Sequence, residues 1–383
     1  MILWQSDRNR TVVARVAIVG DFLPAWKFAA ERPRLENDKD WQRMAQRLAP
    51  HFDDVTLSFV NCECPINTAG LAPRPLDGLG DIVSAPSTCL EYLAAIRASV
   101  VGIANNHTYD FGPAGVQRTR SAIVTRGFAA LGAGHTLETA PEVFLWQGPQ
   151  NIRVGFWAAA RATSNPATPT RPGVEPATVK RAREALKQMN QCGAQFAIAL
   201  LHAGCLRTSY PSPEDLQLMD AIAHAGFDVV AASHSHRISG AKSIGRDKRP
   251  PAFSFYGLGS IVSGFISSPV EGEGLIVVAA LDGNADLARL ELRPLLLDRH
   301  GFGTVPADAA NEAVLDRFRR LSAPIADGSC ARHFHAEISS GLVRLYARDT
   351  RRAFQQSGLR GILRKARRVR MHHLRRLMHS VLP

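Results

Sequence analysis

The chain has 383 residues, 45% of them hydrophobic and 21% charged, a globular mixture long enough for one large domain or two smaller ones. No uninterrupted run of about 18 apolar residues occurs, and the broken apolar stretches at the N-terminus suit neither a signal peptide nor a membrane span, so a cytoplasmic protein with its six cysteines reduced is expected. The net charge of +12 is not a nucleic-acid signature once mapped, because ten Lys/Arg and no Asp/Glu lie from Arg351 onward, which leaves +2 on the other 350 residues.

In chain order, apolar runs of strand length recur, and each ends in polar residues. Residues 13–19 end at Gly20-Asp21, and residues 55–60 end at Asn61-Cys62-Glu63. Residues 99–104 end at Asn105-Asn106-His107, and 196–201 at His202-Ala203-Gly204. Residues 228–233 end at His234-Ser235-His236, and 253–259 at Ser260. Their richness in Val, Ile, Leu, Ala and Phe predicts strands buried on both faces. Helical patterns fall between them at 41–48, 87–97, 115–126, 177–189 and 213–225. The alternation predicts an α/β fold, in which ligands gather outside the carboxyl ends of strands. Residues 161–176, rich in Thr and Pro, read as a long surface loop flanking the site. The glycines of 131–136 lack the dinucleotide fingerprint and read as a turn. Residues 275–281 and 287–297 form a hairpin around Asp282-Gly283-Asn284, and 307–352 is mostly helical.

The polar strand ends carry the chemistry. A period of two puts Asn61 and Glu63 on one side of an extended segment, and likewise His234 and His236. Asp21, Glu63, Asn106, His202, His234 and His236 make a mixed oxygen and nitrogen ligand set for one or two divalent ions, Mn, Fe or Zn. His107 follows a candidate ligand directly, and Asp110 is close enough in sequence to orient its ring. A positioned imidazole protonates a leaving group or stabilises an oxyanion. Plainer readings stand beside these: Asp21 as a turn cap, Asp110 as a helix N-cap, Asn105 as a partner for loop backbone, and Cys62 and Cys64 as apolar filler.

Gly20-Asp21, Asn61-x-Glu63 before Pro65, the ANNHxxDxG motif at 104–112, His202-x-Gly204, SHSH at 233–236 and YGLGS at 256–260 together resemble the bacterial capsule-synthesis CapA family, the poly-γ-glutamate capsule proteins. That family is similar to calcineurin-like metallophosphoesterases. The resemblance implies an αββα fold of four layers, a β-sandwich flanked by helices, with a two-metal site. It implies metal ligation by Asp21, Glu63, Asn106, His202, His234 and His236, an acid role for His107 with Asp110 as its partner, and support of the ligands by Asn61 and Asn105. It implies a metal-dependent hydrolase or transferase in capsule or surface-polymer biosynthesis, acting on a polymer or a phosphoester. A non-catalytic assembly subunit of a polymer-export complex and a small-molecule phosphoesterase are the alternatives. Ala203, Cys205, Ser235 and Ser260 depart from the family pattern, whereas Leu23 departs from the wider phosphoesterases and resembles a trait of the family itself. Leu23 stands where the phosphoesterases carry a histidine, which weakens one metal position.

The expected organisation is one domain over 10–300, a helical extension over 301–350 and a basic tail over 351–383. In the tail, apolar residues spaced three or four apart imply an amphipathic helix with a cationic face. Such a helix suits an anionic membrane surface or an acidic polymer, which would bring a cytoplasmic protein to the inner membrane face. The near absence of aromatics in the tail disfavours nucleic acid.

Overall fold

The computed structural model describes residues 1–7, 10–26, 33–74, 81–161, 163, 165–247 and 249–340. The basic tail and the last ten residues of the expected helical extension lie outside the described residues. Among those described, strands form two large sheets, one of nine strands and one of six.

The first sheet is built on Val12–Trp26, whose fifteen residues are almost all buried. Leu57–Cys62, Ala98–Gly102 and Ala129–Leu131 follow it in parallel, each beside the last. On its other side lies the hairpin of Glu273–Asp282 and Leu287–Leu297, both antiparallel, with Ile2–Gln5 on the outer edge. In the second sheet, Arg153–Ala160, Phe196–His202, Val229–Ser233 and Ala252–Phe255 run parallel. Val143–Gln147 and Ala241–Ile244 close its edges in the opposite direction.

Alternation sorts the side chains of the second sheet. Phe156, Ala158, Ile198, Leu200, Val229 and Ala231 enter the core shared with the first sheet. Trp157, Ala159, Ala199, Leu201, Val230 and Ala232 enter a second core with the helices Val179–Gln191 and Pro213–Ala225. Phe59 and Phe156 meet edge to face across the sandwich, ring centres 5.4 Å apart. Helices Asp38–Gln46, Leu90–Ala95 and Gly112–Thr125 bring Trp41, Leu90, Leu93, Val116 and Ile123 to the first sheet. The fold is thus the expected four-layer αββα sandwich. Helix Asp308–Ala326 packs Leu315 and Phe318 into the shared core and Ile325 into the second, and residues 330–340 continue as helix.

Several local expectations change. The first strand does not stop at Asp21 but runs on to Trp26 after exchanging partners: Glu273–Asp282 lies beside its first half and Ser260–Gly264 beside its second. Gly20 sits at the exchange. A Cβ there would stand 2.1 Å from the carbonyl oxygen of Gly259, so backbone approaches backbone where only glycine fits. The strand expected over 253–259 ends at Phe255, because the chain leaves the second sheet there and joins the first at Ser260. Asp110 is not an N-cap. The helix begins at Gly112 after Phe111, with no side-chain capping bond, and the Asp110 carboxylate is engaged elsewhere. The 131–136 segment is not only a turn, since Ala133–His135 pairs with Gly173–Val174 of the expected surface loop. That loop also carries Glu175, fully buried, which accepts from Arg181 at 2.7 and 2.9 Å and lies 2.7 Å from His135 Nε2.

Candidate metal centre

The carboxyl ends of the two sheets meet at one rim. The first sheet brings Asp21, Asn61, Glu63 and the loop 105–110 to it, and the second brings His202, His234 and His236. Asp21 and Asn61 are paired in adjacent parallel strands, and Asn61 Nδ2 donates to Asp21 Oδ1 at 2.6 Å. The same nitrogen lies 3.1 Å from His202 Nδ1. His202 and Ser233 are likewise register partners, which sets His234 beside His202 with ring centres 4.5 Å apart.

Glu63 lies at the middle. Its Oε1 is 3.3 Å from His202 Nε2 and 3.8 Å from His234 Nδ1, while its Oε2 is 3.7 Å from His236 Nε2. His236 Nδ1 is 3.4 Å from Asp21 Oδ2, and Asn106 Oδ1 is 2.6 Å from His202 Nε2. Two groups result, Glu63 with His202 and His234, and Glu63 with Asp21 and His236. Bonds of about 2.0–2.2 Å to a four-coordinate ion set neighbouring ligand atoms about 3.4 Å apart, close to these separations. The donor chemistry fits a cation too. Glu63 Oε2 and His234 Nδ1 are buried without a hydrogen-bond partner among the described residues, an expensive state for polar atoms unless an ion takes them.

Electrostatics point the same way. Burial, then the neighbouring charge of Glu63, pushes the Asp21 carboxyl up to about 6. Burial opposes ionisation of Glu63 as well, but His236 and His202 outweigh it and hold its carboxyl well below the ordinary range. Burial lowers His202 and His236, which favours the neutral imidazole that binds metals. His234 and His236 adopt φ of 120° and 55°, a strained region for residues other than glycine.

The loop after Ala98–Gly102 is folded on itself. Asn105 Nδ2 donates to Cys62 O at 2.8 Å, and its Oδ1 accepts from His107 N at 3.1 Å and Thr108 Oγ1 at 3.0 Å. This answers the question of how Asn105 is satisfied: it staples the loop to the end of the neighbouring strand. His107 Nδ1 is 2.8 Å from Asp110 Oδ2. Burial lowers the His107 pKa, but the Asp110 bond and the charge of Glu63 raise it overall.

All the residues singled out from the sequence thus reach one rim. Leu23 is buried in the apolar core and offers no ligand. Ser260, noted only as a departure, places its Oγ 3.1 Å from His236 Nδ1. Cys62 and Cys64 are buried, and burial pushes both thiols up, so they act as filler. Sequence reasoning missed the surroundings of the 203–210 loop. Arg207 N donates to Ser235 O at 2.9 Å, between the paired histidines. Glu337, from the helical residues 330–340, accepts from Ser209 N at 2.7 Å and Tyr210 N at 3.3 Å, and Tyr210 stacks on His333. Only the adjacency of Arg237 to His236 hinted at any of this.

A four-layer αββα sandwich thus gathers carboxylates, an amide and imidazoles where its two sheets meet, a donor set suited to divalent cations. The match to a family model is more specific: the chain belongs to the bacterial capsule synthesis protein PGA_cap family, over residues 15–264. The capsule biosynthesis protein CapA of Bacillus anthracis is 26% identical over 170 residues, 43% of this chain and 40% of the relative. A probable polyglutamine synthesis accessory protein of Mycobacterium tuberculosis (strain ATCC 25618 / H37Rv) is 30% identical over 155 residues, 38% of this chain and 41% of that one. The matched stretches therefore span about two fifths of the length of these curated relatives. Among solved structures, the calcineurin-like phosphoesterase YfkN of Bacillus subtilis covers 81% of this chain and 97% of its own, at 12% identity and a TM-score of 0.44. A likeness that loose adds nothing on substrate. No helix among the described residues is long and apolar enough to cross a membrane.

Proposed function

We propose that this chain is a CapA-type, metal-dependent hydrolase or transferase acting in the synthesis of a capsule or other surface polymer. The observation that carries the reading is the Glu63 carboxylate, one oxygen turned to His202 and His234 and the other to His236. Asn106 would complete the first group, and Asp21 belongs to the second. A divalent ion held there supplies Lewis-acid polarisation of a scissile bond and a bound water acidic enough to ionise near neutral pH.

The chain's own residues do the rest. Asn61 holds Asp21 and His202 in place by donating to one and facing the other. Asp110 fixes His107 through Nδ1 and leaves Nε2 as the position for a transferable proton. With its pKa raised above the ordinary histidine value, His107 holds that proton more tightly than a free imidazole and is placed to give it to a leaving group. The tail, outside the described residues, carries apolar residues spaced three or four apart among its ten Lys/Arg, and this pattern supports docking on an anionic membrane or acidic polymer.

Purified chain should carry Mn, Fe or Zn by elemental analysis and hydrolyse either a γ-glutamyl amide or an aryl phosphate. Absence of bound metal at any stoichiometry, with folding unchanged in His234→Ala, sinks the reading. A second reading, a non-catalytic assembly subunit, is motivated by the departures at Cys205 and Ser260, the latter with its Oγ 3.1 Å from His236 Nδ1. It fails if His107→Ala abolishes polymer production while abundance and assembly stay normal.

A further inference from the structure

Beside the paired histidines lies a cationic trio that the metal chemistry does not use. Arg207 and Arg237 share one carboxylate, Glu271. Arg207 Nε is 3.7 Å and Arg237 Nη2 3.4 Å from the same oxygen, Glu271 Oε1. Both distances are longer than the 2.7–2.9 Å of a fully formed charged pair. The other oxygen, Oε2, is occupied by Ser267, through its N–H at 2.8 Å and its hydroxyl at 2.6 Å. Glu271 is itself 4% exposed; burial opposes its ionisation, but Ser267 and the two arginines bring its carboxyl below the ordinary range.

Charge and access follow. Two guanidiniums against one carboxylate leave the trio with a net charge of +1. Arg207 keeps 42% of its side chain exposed and Arg237 21%, while Glu271 is covered. Arg237 Nε has no hydrogen-bond partner among the described residues. The trio is tied to the rim by backbone: Arg237 follows His236, and Arg207 N bonds to Ser235 O at 2.9 Å. Arg207 takes a φ of 62°, so the loop is bent against its preference to bring this side chain here.

We infer that Arg207 and Arg237 form an anion-binding subsite next to the His234–His236 edge, and that the substrate carries an anionic oxygen group, a carboxylate or a phosphate, beside the bond that is cleaved. The planar guanidinium fork suits either group. Glu271 is a positioning residue, which orients the pair and limits its charge. This rests on the proposed function for the site's substrate, but the residues and the measurement are independent of any metal.

The test is calorimetric titration of the full chain at low ionic strength with two probes, inorganic phosphate and a γ-linked glutamate tripeptide, with metal content measured on the same sample. At least one probe should bind, and R207Q and R237Q should each weaken it about tenfold or more, the loss expected for a charge-assisted bond. E271Q, which removes the competing charge, should tighten it. The probe that binds identifies phosphate or carboxylate as the group recognised. Binding of neither probe overturns the inference, as does unchanged affinity in both arginine variants. Weakening by E271Q as well would reduce the trio to a structural clasp and overturn it too. If the sample holds no metal yet the arginine variants lose the probe, the subsite stands and the hydrolase reading falls.

Discussion

His107 and Asp110 face each other at 2.8 Å from within one turn of loop, and Asp110 is itself fixed by the N–H of Val83 at 3.1 Å. The pair is rigid before any substrate arrives. Removing the imidazole in His107→Ala should lower turnover by about 10²–10⁴, the range for general acid catalysis. Asp110→Asn, which keeps the shape and removes the charge, should cost about tenfold. Elemental analysis should show unchanged metal in both. Wild-type turnover in His107→Ala would remove this residue from the chemistry.

Glu63 is shared between two groups of ligands, whereas His236 and His234 each belong to one. Glu63→Gln should therefore empty both positions, and His236→Ala only the one it shares with Asp21. Metal stoichiometry by elemental analysis separates the cases. Equal loss in the two variants would mean one ion, not two.

Glu175 is buried between Arg181 and His135. Burial alone would raise its pKa, but the two partners bring it below the ordinary 4.5. A depressed carboxylate contributes stability that is present above that value and is lost as pH falls through the folded one. Glu175→Ala leaves the buried Arg181 with only the partly exposed Glu184, at 2.9 Å, as a charge partner and should cost on the order of 3 kcal/mol near neutrality. Thermal unfolding across pH should show the gap to wild type narrowing below pH 4.5. A constant gap would show that the charge is not what stabilises.

Gly20 permits the first strand to change partners beside Gly259. Gly20→Ala must push the two backbones apart, at a cost of about 1–3 kcal/mol or more. Since Asp21 N bonds to Gly259 O at 3.0 Å, the same substitution should displace a candidate ligand. Lower melting temperature together with reduced metal content is the expected pair of results. Loss of stability with full metal content would show that Asp21 is positioned from elsewhere.

The candidate ligands were legible because most apolar runs ended in a residue able to bind metal, and parallel strands align those ends. Layering was legible in part, since runs buried on both faces demand cover on both. Pairing was not. Nothing local in Val12–Trp26 marks where one neighbour gives way to another, because the close approach at Gly20 depends on Gly259, far along the chain. Glu271 also escaped, since its role arises from Arg207 and Arg237 in two different loops. The strand Arg153–Ala160 went unread, its Ala158-Ala159-Ala160 end being as good for helix as for strand.

The hold of Glu337 on Ser209 and Tyr210 gives the far end of the described chain a grip on the rim of the candidate metal centre. A polypeptide cut at residue 328 would keep all six candidate ligands and both subsite arginines, yet the 203–210 loop would lose the brace that keeps it closed against the rim. Trimming from that end would therefore loosen the 203–210 loop without removing a single candidate ligand.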